Sequence, residues 1–151
     1  MCLIVDTNCL VDLCNGQDNM KPILTWLGFG SAPMGRLALC NHPKFQKEYF
    51  GKNAPRNLQR LLRTLSLLPS SPEVIDVGEV EKALSTIDFE LKSDDHHIVG
   101  LALASGCKML VSRDQRLHKD FKRATGGRIY QQAGKHKAML SRYTCKEVQT
   151  K

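Results

Sequence analysis

Short apolar runs, each handing over within one or two residues to a helical pattern, constrain this chain more than any other feature. Leu3-Ile4-Val5, Leu37-Ala38-Leu39-Cys40, Cys107 to Val111 and Arg128-Ile129-Tyr130 have the length and composition of strands. Strands that alternate with helices pair in parallel, because a parallel connection needs a crossover of a dozen or more residues, usually a helix. The expected fold class is therefore α/β, a mainly parallel central sheet flanked by helices.

The intervening segments carry helix signals. Cys9 to Cys14 begins a helix for which Thr7 or Asn8 can act as N-cap, and Pro22 to Leu27 can continue helically. Residues 28–35, with three glycines and a proline, read as a loop. Pro43 opens the next helix, since proline is tolerated in a first turn, and Glu48 falls about one turn inside it. Leu58, Leu61, Leu62, Leu65 and Leu68 form an apolar helical stripe that Pro69 to Pro72 ends; that stripe serves a core or an interface equally well. Val74 to Val77 reads as a short strand or turn, Glu79 to Ile87 as a helix, Ile98 to Ala104 as a helix stopped by Gly106, and Leu117 to Lys122 as the last helix.

At 151 residues the chain fits one domain, which at this size buries roughly 68–70% of its unfolded surface. We read residues 1–132 as that domain and 133–151 as a basic C-terminal tail of uncertain order. Neither a membrane span nor a secretory signal is evident, which points to the cytoplasm. The six cysteines form no CxxC and read as structural thiols, not a disulfide framework or a zinc site. Net charge is +7, unevenly distributed: residues 1–111 hold 11 Lys and Arg against 12 Asp and Glu, residues 112–151 hold 11 against 3. Lys44, Lys47, Lys52, Arg56, Arg60 and Arg63 add a second basic stretch around Glu48. A phosphate-rich polymer suits such surfaces, although a solvated basic face serves solubility equally well.

Four acids stand apart: Asp6, Glu48, Asp95 and Asp114. Singly, each has an ordinary role, as a helix cap or an exposed partner of lysine. Together they mean more, because parallel strands gather their C-terminal ends along one sheet edge, where such folds build sites. Clustered carboxylates raise one another's pKa, so a cation is needed to hold them together. A purely oxygen donor set favours Mg2+ or Mn2+ over Zn2+. Asp94 is the alternative to Asp95 as third ligand, and His96 and His97 read as solvent-facing groups or supports behind the ligands.

In their order along the chain these motifs resemble the PIN-domain nucleases, from Leu3 to about Tyr130. Val5-Asp6-Thr7-Asn8 is similar to the family's first acidic motif, and Glu48 to its glutamate after the second strand. Asp95 in DHHIVGLALASG resembles the third acid, and Asp114 in LVSRD the fourth, with Ser112 as the small hydroxyl residue before it. The resemblance implies a PIN-like three-layer fold and a Mg2+- or Mn2+-dependent endoribonuclease. Asp6, Glu48, Asp95 and Asp114 would be its catalytic metal ligands, Thr7, Asn8 and Ser112 their supports. Lys44, Lys47, Lys52, Arg113 and Arg116 are the candidate RNA contacts. Many small members are toxins of toxin-antitoxin pairs, so an antitoxin partner and a homodimer are further implications. The Gly-rich segment 28–35 and the basic tail have no counterpart in the family pattern.

Two other readings compete. Haloacid-dehalogenase-like phosphatases need a second acid where Asn8 stands, and receiver domains keep an acidic pair after the first strand, so neither fits as well. A PIN-like module that binds RNA or protein without cutting is the non-enzymatic alternative.

Overall fold

A computed structural model describes residues 3–29, 35–52, 54–68, 71–131 and 140. Strand β1 (Leu3–Val5) is buried along its whole length, the pattern of a strand covered on both faces. Asp6 ends it in an extended conformation, and its carboxylate accepts the Thr7 amide at 2.8 Å. Asp6 is thus itself the N-cap of α1 (Thr7–Cys14), and Thr7 and Asn8 are the first helical residues instead of its caps. Helix α2 (Lys21–Leu24) runs into a π-turn at Thr25–Phe29. Most of the Gly-rich segment, residues 30–34, lies outside the described residues.

Strand β2 (Ala38–Cys40) leads to α3 (Pro43–Phe50), where Pro43 sits in the first turn and the cap is His42, whose Nδ1 accepts the Lys44 amide at 3.2 Å. Then come α4 (Leu58–Ser66), β3 (Glu73–Ile75) and α5 (Val77–Leu84). Asp76 caps α5 and starts it two residues before the expected Glu79. Helix α6 (His96–Ser105) ends at Gly106, whose φ of 71° is the left-handed cap that glycine adopts without strain. Strand β4 (Met109–Val111), α7 (Gln115–Thr125) and β5 (Arg128–Ile129) follow.

Every strand pair is parallel: β1 with β4, β4 with β5, β2 with β3. A single parallel bridge, Leu3 with Leu37, joins the two groups, so the strands run in the order β3-β2-β1-β4-β5. The chain first moves outward from β1 through β2 to β3, then crosses back to β4 and on to β5. The right hand general to such crossovers assigns α1 to α4 to one face and α5 to α7 to the other, and the packing agrees: α1 lies on α4, and α6 on both α5 and α7. The direction reverses between β1 and β4, and the crevice beyond their C-terminal ends is where a doubly wound sheet holds its ligand. Asp6 follows β1 at that edge and Ser112 follows β4, and the Asp6 amide donates to the Val111 carbonyl at 2.8 Å.

The stripe on α4 belongs to the core. Leu58, Leu62 and Leu65 are buried, Leu61 and Leu68 pack against them, and Arg56, Arg60 and Arg63 are exposed. Burying a leucine contributes roughly 1.5–3 kcal/mol, enough to fix the helix without a partner chain. Gly100 lets α6 approach α5 closely: a Cβ there would come within 2.8 Å of Val80 and Leu84 side-chain carbons. Cys9, Cys14 and Cys40 are free thiols, and burial pushes Cys9 and Cys14 up to about 11; Cys107 is buried with its Sγ donating to the Met109 carbonyl, and Cys2 and Cys145 lie outside the described residues. No helix among the described residues is long and apolar enough to cross a membrane. Most of the tail is likewise outside them, except Leu140, which is buried and accepts a hydrogen bond from Trp26 Nε1 at 2.7 Å.

Candidate metal centre and its basic groove

The acids that end β1, ride on α3 and precede α6 meet at the sheet edge. Glu48, Asp95 and His97 each present a donor atom, all within 4.8 Å of one another. Asp6 stands beside this trio: burial raises its pKa, as do the Asp95 and Glu48 carboxylates, while the Ser112 hydroxyl and the Thr7 amide pull it down. The net shift is upward, set first by burial and increased by the two neighbouring carboxylates. Asp95 occupies the N-cap position of α6 but makes no side-chain cap bond. Its carboxylate therefore faces the cluster, with Lys44 Nζ 3.4 Å from Oδ1.

Asp114 is placed differently. Its Oδ1 accepts the Arg116 amide at 2.9 Å and the Leu117 amide at 3.4 Å, capping α7. It reaches Asp6 only through Ser112, whose hydroxyl donates to Asp6 Oδ2 at 2.8 Å and accepts the Asp114 amide at 3.0 Å. Asp94 is exposed, and its backbone carbonyl takes a 2.8 Å bond from Lys44 Nζ. Of the four acids, three share one electrostatic neighbourhood, and the fourth supports it from behind.

Glu48 is held firmly. The Thr7 hydroxyl donates to its Oε2, and His97 Nε2 lies 3.7 Å from the same oxygen. Burial pushes its pKa up, but the His97 and Thr7 contacts and the His97 and Lys44 charges outweigh burial and leave it below the ordinary value. Next to Glu48 on α3, Tyr49 is fully buried and donates to the Val5 carbonyl, locking that helix to the end of β1. A pocket of about 340 Å³ opens here, lined by Thr7, Lys44, Lys47, Glu48 and Lys52. It sets the Glu48 carboxylate beside three lysine side chains, whose positive charge suits an anionic group.

The other expected contacts divide. Arg113 pairs with Asp12 and donates to the Asn8 carbonyl at 3.3 Å, and Asn8 Oδ1 accepts the Arg113 amide at 3.3 Å. Asn8 and Arg113 thus tie the end of β1 to the end of β4, outside the lysine-lined pocket. Arg116 is exposed at the start of α7.

The sequence reading missed Asp120 and left His97 either solvent-facing or a support behind the ligands; His97 is buried. The apolar run from Ile98 to Ala102 marks α6 as a largely buried helix, but not which of the two histidines at its start packs inward. Asp120 is buried too, accepting the Lys92 amide at 3.0 Å and the Ser93 amide at 2.8 Å, so α7 holds the segment leading to Asp95. Neither family models, curated proteins nor solved structures gave a match to this chain.

Proposed function

We propose that the protein is a PIN-type endoribonuclease that hydrolyses RNA phosphodiester bonds with Mg2+ or Mn2+ held by Glu48 and Asp95, with Asp6 beside them and Asp114 behind. The observation that carries this reading is the convergence of Asp6, Glu48 and Asp95, from three separate elements, on the crevice between β1 and β4, beside a pocket lined by Lys44, Lys47 and Lys52. The donor set fits a divalent cation: Asp95 makes no cap bond, and Asp6 is pushed upward first by burial and then by the Asp95 and Glu48 charges beside it. When bound, the ion would supply a water activated at neutral pH and offset the charge growing on the phosphoryl oxygens.

The chain's own residues bind and orient. Lys47 and Lys52 grip flanking phosphates from α3 and its C-terminal end, and Lys44 balances Asp95 while reaching the same groove. Thr7 fixes the Glu48 carboxylate, and Ser112 fixes Asp6. No side chain acts as a nucleophile. An antitoxin and a homodimer are proposed on the resemblance alone.

The rival reading, a binding module without cleavage, has one observation in its favour: Lys44 already gives Asp95 a counter-charge. Single-stranded RNA incubated with the protein, with and without Mn2+, separates the two. We expect metal-dependent cleavage that falls by at least about 100-fold in Asp6→Asn. RNA retained equally by both proteins, and cut by neither, would establish the module instead.

A further inference from the structure

The His97 imidazole has a place in this site that a purely carboxylate donor set leaves out. The residue is 3% exposed, neither ring nitrogen has a hydrogen-bond partner among the described residues, and Nε2 lies 3.7 Å from Glu48 Oε2, an ion-pair separation too long for a hydrogen bond. Packing sets the ring's orientation: it stacks on His42 with centroids 5.6 Å apart and meets Phe45 edge-on at 6.2 Å. A buried polar group without a hydrogen bond carries a desolvation cost that nothing offsets. A nitrogen held among two carboxylates at that cost is accounted for if all three share a ligand.

We propose that His97 Nε2 is a metal ligand beside Glu48 and Asp95, which makes the centre a mixed nitrogen and oxygen site selecting a divalent first-row transition ion over Mg2+. This rests on the reading of Glu48 and Asp95 as metal ligands. Metal-to-donor distances of about 2.0–2.2 Å place two donors on one ion at most about 4.4 Å apart. The three donor atoms already lie within 4.8 Å of one another, so a small rotamer adjustment seats the ion. Lys44 is the neighbouring cation on Asp95, and its flexible stem lets it withdraw as an ion enters. Imidazole suits transition ions, whereas Mg2+ takes oxygen ligands and keeps its waters. The competing explanation is an imidazolium that merely neutralises the two acids.

The test uses the full chain, stripped of metal and titrated calorimetrically with Mn2+ and with Mg2+, followed by pulsed electron paramagnetic resonance of the Mn2+-loaded protein. We expect Mn2+ to bind more tightly than Mg2+ and to show the modulation of a directly coordinated nitrogen. His97→Gln should remove that modulation and weaken Mn2+ by about 10–100-fold while leaving Mg2+ binding nearly unchanged. His42→Asn, which keeps a residue able to cap α3, should retain the modulation, so the assignment holds even if His97→Gln does not fold. Mn2+ bound without nitrogen modulation, or with modulation lost in His42→Asn, overturns the role of His97 and leaves the carboxylate centre standing. Binding of neither ion overturns both.

Discussion

Burial and the Asp95 and Glu48 carboxylates raise the pKa of Asp6, and the sign of that shift has a consequence for stability. A carboxyl whose folded pKa lies above its unfolded value binds protons more readily when folded. Its ionisation therefore weakens the fold as pH rises from 3.8 through the raised value. Asp6→Asn removes the charge and keeps a good N-cap for α1. Without metal, at pH 7, the variant should melt no lower than the parent, and with Mn2+ it should gain less. Saturation at 100 times Kd stabilises the parent by about 2.7 kcal/mol. About 1 kcal/mol moves the melting temperature of a chain this size by roughly 2–4 °C, so a larger metal-free drop would rule out the repulsion. Asp6 and Asp114 were legible as acids just beyond a short apolar strand, which fall at a predictable sheet edge, whereas Glu48 and Asp95 reach that edge from α3 and from the start of α6. His97 was not legible: adjacent histidines look alike in sequence, and only the packing of α6 exposes one and buries the other.

Helix α7 holds the segment leading to Asp95 through Asp120. Burial pushes this carboxyl up, but the Lys92 and Ser93 amides and the His96 charge outweigh burial and hold it below 3.8. The stabilisation is accordingly present above 3.8 and lost as pH falls through the depressed value. Asp120→Ala leaves two amides without their acceptor and should cost about 1–3 kcal/mol at pH 7. Denaturant melts should show that gap narrowing as pH falls below 3.8; a gap of constant size would assign the loss to packing instead. Because these amides lead directly to Asp95, the same variant should weaken Mn2+ by about 10–100-fold, read calorimetrically. Asp120 was invisible in the sequence because its partners are backbone amides, which no side-chain pattern marks. Helix ends were more readable, as at Gly106, since a left-handed cap demands glycine, whereas three helix starts moved to their caps at Asp6, Asp76 and Asp114.

Over the whole molecule, the parallel α/β order follows from alternating elements, but the reversal between β1 and β4 depends on the single Leu3–Leu37 bridge, which periodicity cannot reveal. The basic tail has an anchor equally hidden in sequence: Leu140 is buried and its carbonyl accepts Trp26 Nε1. A cut after Gly134 therefore removes a packed residue as well as charge. It should shift the emission of Trp26, the chain's one tryptophan, to the red and destabilise the fold by about 2–5 kcal/mol. Charge is better tested by neutralisation, with Lys135, Lys137, Arg142 and Lys146 changed to glutamine in one variant and Lys47 and Lys52 in another. Each single-strand phosphate contact contributes about 0.7 to the slope of log affinity against log salt. If RNA lies in the pocket beside Glu48, the Lys47 and Lys52 variant should flatten that slope by about 1.4, while the tail variant reports separately whether the strand continues across residues 135–146. An unchanged slope after loss of both pocket lysines would place the RNA elsewhere on the protein, away from the acids.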